Sequence, residues 1–141
     1  MRLFFLSVFV LIFPLCSSAA NWESVLGMAD DGVAYLDSSS VSRHGSNVKF
    51  WVKVSYPLPH PSKACPGQLY VNHSELMIIN CADKTIGTSQ FNQNALDGNV
   101  VCSFKYNRID MEDIVPESLG DKLKDIACKG SSRPGVKTKT F

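Results

Sequence analysis

Val48-Lys49-Phe50-Trp51-Val52-Lys53-Val54-Ser55-Tyr56 alternates in a strict two-residue register. Val48, Phe50, Val52, Val54 and Tyr56 share one side. Lys49, Trp51, Lys53 and Ser55 share the other. A strand repeats every two residues, so the pattern predicts a half-buried antiparallel strand. Pro57, Pro59 and Pro61 follow. Proline donates no hydrogen bond to a ladder, so the strand is expected to end there. The second side leaves two readings open. Trp51 between Lys49 and Lys53 is an aromatic and cationic surface of the kind that binds partners. Equally, a helix packed over this side would bury it.

The same period extends in both directions. Residues 22–28 and 33–36 read as strands around the turn Asp30-Asp31-Gly32. Asp37-Ser38-Ser39-Ser40 caps a short helical turn through Val41, and Arg43-His44-Gly45-Ser46-Asn47 turns again. Residues 69–81 form a long extended stretch whose apolar parity shifts near Glu75, where a bulge or twist is expected. Strands at 85–91 and 100–106 flank the turn Asp97-Gly98-Asn99. The period then changes. Ser118 and Asp121 form a capping box, and Leu119, Leu123, Ile126 and Ala127 lie on one helical face. Cys128 falls off that face, so either the helix stops near Ala127 or the cysteine bonds from its flank. The expected class is α+β: an antiparallel sheet of about five to six strands packed against a C-terminal helix.

The chain begins as an export signal. Arg2 precedes an almost unbroken apolar run over residues 3–15, and Ser18-Ala19-Ala20 offers small residues for cleavage. The expected division is a signal peptide at 1–20, a domain at 21–129 and a disordered, basic tail at 130–141. The apolar run is shorter than the roughly 20 residues a bilayer span needs. Cys16 is the alternative processing point, as a lipidated cysteine, but the bulky Leu15 before it disfavours that anchor. The expected product is periplasmic or secreted, with no transmembrane span. Removing Arg2 from fourteen basic residues leaves thirteen, equal to the thirteen acidic ones. No net basic field remains to hold nucleic acid.

Five cysteines are encoded, and loss of Cys16 leaves Cys65, Cys81, Cys102 and Cys128. An even set in a small exported domain reads as two disulfides, with three pairings open. Their spacings of 16, 21 and 26 residues lack the close ligand pairs of a structural zinc site. His44 lies in a turn, His60 between prolines, and His73 in a strand, with none of the spacings of a histidine metal motif. Neither G-x-S-x-G nor a glycine-rich phosphate loop is present. The reading is a non-enzymatic protein without metal or cofactor. Lys49, Trp51 and Lys53 are the candidate partner-binding residues. The loop at 57–67, with His60 and Lys63, is a second candidate, although Cys65 reads as tying it down.

Taken in order, several marks resemble a known family. They are Trp22, Tyr35-Leu36-Asp37 with Val41, the strand at 48–56, Ile78-Ile79-Asn80-Cys81, Ile114-Val115-Pro116-Glu117-Ser118, and Cys128. Together they resemble the bacterial surface-adhesin protein E family over nearly all of the chain up to Cys128. The resemblance implies a bridge from Cys81 to Cys128, leaving Cys65 to pair with Cys102. It also implies a binding module for a protein partner, a host matrix protein or an envelope component. A soluble periplasmic accessory domain that docks to another envelope protein is the alternative, and a small secreted enzyme the third reading.

Overall fold

The computed structural model describes residues 19–129. The readings of residues 1–18, Cys16 among them, and of residues 130–141 lie outside that range. Among the described residues there are eight strands in one antiparallel sheet and one α-helix. The strands are β1 (Trp22–Gly27), β2 (Val33–Asp37), β3 (Ser42–His44), β4 (Asn47–Pro61), β5 (Leu69–Asn80), β6 (Thr85–Asn94), β7 (Val100–Lys105) and β8 (Glu112–Asp113). The helix α1 is Leu119–Lys129. The sheet runs β1-β2-β4-β5-β6-β7, with β3 paired to β4 and β8 to β6.

The opening stretch does lie at the centre. Val48, Phe50, Val52 and Val54 are buried on one side of β4. Register places Ile79 opposite Val48, Met77 opposite Phe50, and Leu36 opposite Val52. Leu123 and Ala127 of α1 close over this patch, and Val25, Val41, Ile86, Ile114 and Leu119 pack around it. The core is therefore a sheet–helix interface, and α+β is the right class.

Three local expectations change. The strand count exceeds the expected five to six, because two very short strands carry no periodic signal. β3 has three residues and β8 two. Next, β4 continues through Pro61 instead of ending at Pro57. Pairing with β5 breaks after Ser55 and resumes at His60 opposite Tyr70, so Pro57 and Pro59 fall in the unpaired bulge. Pairing with β2 has already ended at Ser55, so no ladder bond is demanded on that side. Finally, the irregularity near Glu75 sits between Leu76 and Met77, and the extra residue is Ser89 on β6. β5 itself stays in continuous register with β4 from Asn72 to Asn80, so the bulge lies on β6 and not on β5.

The capped turn forms as read. Asp37 is the N-cap of a short 3-10 helix over Ser38–Ser40. At α1 the capping box is half made: Ser118 Oγ accepts from the Asp121 N–H at 3.3 Å, while the Asp121 carboxylate accepts from Glu117 instead of Ser118. The helix runs on to Lys129, so Cys128 bonds from its flank. Its sulfur is joined to Cys81, just past the end of β5. The second bridge, Cys65–Cys102, ties the loop after β4 to β7. Among the described residues no helix is long and apolar enough to cross a membrane.

Candidate functional site

The helix covers the Val48 side; on the Lys49 side Ile109 and Met111 lie over Gly87, next to Ile78, and among the described residues no helix covers the rest. Three strands build one end of it. Trp22 of β1 and Tyr35 of β2 flank Lys53 of β4, whose ammonium lies 4.4 Å from the indole centroid and 5.5 Å from the phenol ring. Such a cation over an aromatic face is worth about 0.5–1 kcal/mol near solvent, and it fixes a long side chain in place. Trp51 is half-buried beside Leu76, its register partner on β5, and its backbone N–H donates to Ser40 Oγ at 2.9 Å. Lys49 is exposed opposite Ile78. Further across, Gln90 pairs with Lys105, and Ser103 Oγ donates to Asn92 Oδ1 at 2.7 Å.

The structure thus sets Lys49, Trp51 and Lys53 on the face opposite α1, but it partners Lys53 with Trp22 and Tyr35 instead of Trp51. Those two rings were missed by sequence reasoning. Both sit in stretches recognised as strands, and only the β1–β2–β4 register brings them beside Lys53.

A second feature was also invisible in sequence. Beyond the reach of α1, the other face carries a row of rings. Tyr56 and His60 are 4.4 Å apart between centroids, Tyr56 and Tyr70 5.8 Å, Tyr70 and His73 6.1 Å, and His73 and Phe91 5.7 Å. Phe91 continues the row to Phe104 on β7. Burial, then Tyr70, Asp30 and Glu75, push the Tyr56 phenol up to about 12. Ser62 Oγ donates to buried Gln93 at 2.5 Å and accepts from the Cys65 N–H, which holds the proline loop against the sheet. The loop is tied down, as Cys65 implied.

His73 Nε2 lies 3.6 Å from Glu75 Oε1, and Thr88 donates to Glu75 Oε2 at 2.8 Å. The carboxylate stands between hydroxyl and imidazole, so the hydroxyl does not meet the ring as a nucleophile meets its base. A shallow groove of about 420 Å³ opens beside Glu75, walled by Met77, Phe91, Tyr106 and Arg108.

Burial holds the His73 imidazole below its ordinary range, against the opposing pull of Glu75 and Asp30. The folded protein therefore keeps the ring neutral where the unfolded chain takes up a proton. This contribution to stability is full above the unfolded value of about 6.5 and is lost as pH falls from there through the lower folded value. The melting temperature is expected to drop as pH falls below about 6.5. In His73→Gln that part of the slope flattens. An unchanged slope in the variant would refute the assignment.

Comparison with known proteins now settles the lineage. The family model described as surface-adhesin protein E matches residues 22–129. The chain belongs to the surface-adhesin protein E family. No curated protein matches it in sequence. Two solved structures of Haemophilus influenzae protein E share its fold. Crystal form II aligns with a TM-score of 0.58 at 12% identity, covering 79% of this chain and 90% of that one. The other aligns at 0.55 and 13% identity, covering 77% and 84%. At such identity the likeness speaks for the fold. Family membership makes the protein a relative of surface adhesins.

Proposed function

We propose that the protein is an exported, non-enzymatic module of the bacterial envelope that binds a protein partner through its open sheet face. Lys49, Trp51 and Lys53, joined by Trp22 and Tyr35, form the contact. The observation that carries this reading is the placement of half-buried aromatic residues and lysines on a face that no helix among the described residues covers. Aromatic side chains with cationic neighbours are the residues that dominate binding energies. A host matrix protein is the first partner class, in keeping with the family.

The test uses purified mature protein on a panel of immobilised matrix proteins. A Lys49→Ala/Trp51→Ala/Lys53→Ala variant is expected to bind about tenfold or more weakly while keeping the wild-type circular dichroism spectrum. Unchanged affinity would remove this face as the site. The second reading, a soluble periplasmic accessory domain, is favoured by Leu15 ahead of Cys16. Cell fractionation separates the two, because a wholly soluble periplasmic pool counts against a surface adhesin.

A further inference from the structure

The open face is nearly one-signed. On the five adjoining strands β2, β4, β5, β6 and β7 its positions carry three lysines: Lys49, Lys53 and Lys105. Asp37 is their one carboxylate, and it is engaged internally. Its Oδ1 accepts from the Asn21 N–H at 2.9 Å, from the Ser39 N–H at 3.0 Å and from Ser39 Oγ at 2.6 Å. Asp83 and Asp113 stand only at the end of the face, around Thr85. Other carboxylates, Glu75, Glu112, Asp121 and Asp125, belong to the opposite side or to α1. Residues 21–129 carry ten basic and thirteen acidic side chains, yet on these five strands the face opposite α1 presents lysines and a single, internally bonded carboxylate.

Spacing and chemistry narrow the partner. Lys49 and Lys53 are four strand residues apart, about 13 Å at roughly 3.3 Å per residue. Lys105 lies three strands across from Trp51, roughly 14 Å away at about 4.8 Å per strand. Between them lie apolar Trp51, Leu76 and Ile78, and the uncharged Ser74, Gln90 and Asn92. We infer that this face takes an extended acidic segment of a partner protein. Its carboxylates reach the three lysines, and an aliphatic or aromatic side chain rests on Trp51 and Leu76. A sulfated polysaccharide offers no such side chain, and its charges lie closer together than these lysines. The inference rests on the proposed binding face and adds the chemistry of what binds there.

The probe is the peptide acetyl-Glu-Glu-Leu-Phe-Glu-Glu-amide, titrated into mature protein by calorimetry. A lysine version of the peptide and heparin run alongside. Saturable binding of the acidic peptide is expected, weakening about tenfold or more when salt is raised to about 0.5 M. Lys49→Glu/Lys105→Glu should abolish it, and Lys122→Glu on the helix should leave it unchanged. Equal binding of the lysine peptide, absence of acidic-peptide binding, or binding of heparin alone each overturns the inference. The two readings fail separately. If the triple alanine variant loses the matrix protein but the acidic peptide never binds, the face stands and its acidic preference falls. If the matrix protein ignores the triple variant, the face itself falls.

Discussion

Phe50→Ala is expected to lower the unfolding free energy by about 3–5 kcal/mol, a large share of the 5–15 kcal/mol typical of a small domain. Phe50 is fully buried, the largest such side chain among the described residues. It lies opposite Met77 and in the cluster that joins the sheet to Leu123 and Ala127 of α1. The cost has two parts: the lost transfer of the ring from water, and the cavity left where sheet and helix relax only partly. Val52→Ala removes less volume from the same side and should cost less. Urea denaturation with linear extrapolation measures both. A loss below about 1 kcal/mol for Phe50→Ala would mean that the helix is not seated on this patch.

Removing the Cys81–Cys128 bridge with the pair Cys81→Ser/Cys128→Ser is expected to cost about 2–5 kcal/mol. The physical reason lies in α1. An isolated helix shorter than about 12–15 residues is marginal in water, and this one has eleven. It persists because Leu123 and Ala127 are buried, because Arg43 donates to the Ala127 carbonyl, and because the bridge holds its last turn to the end of β5. The bridge closes 47 residues of sequence and Cys65–Cys102 closes 37. Loop-closure entropy changes slowly with length, so the two bridges should restrict the unfolded chain to a similar degree. What differs is location. Loss of Cys81–Cys128 should expose the amides of α1 to hydrogen exchange, whereas loss of Cys65–Cys102 should expose the loop after β4. Wild-type protection of α1 in the serine pair would refute the role given to the bridge.

Legibility followed the strength of local patterns. The two-residue alternation at 48–56 fixed a strand because burying one side leaves no other register. The capped turn at Asp37 and the helix at Leu119 were readable for a similar reason: a side chain satisfies a backbone donor within a few residues. Proline misled at β4, since its cost applies only where a ladder bond is required, and the bulge after Ser55 removes that requirement. The two shortest strands had no period to read. They exist because a neighbouring strand offers them partners.

The candidate site divides the same way. Lys49, Trp51 and Lys53 were legible as one side of a strand, yet a single strand does not say which side a helix will cover. That was decided by α1, whose apolar face docks on Val48, Phe50 and Val52 and so leaves Trp51 open. Trp22 and Tyr35 reach Lys53 only through pairing between segments distant in sequence. The same holds for the ring row from Tyr56 to Phe104. By itself, the sequence determined the alternation, the caps and the α+β class, because these depend on neighbours along the chain. Tertiary structure alone decided which face the helix covers and which rings meet which lysine, because cross-strand register and helix docking are long-range choices.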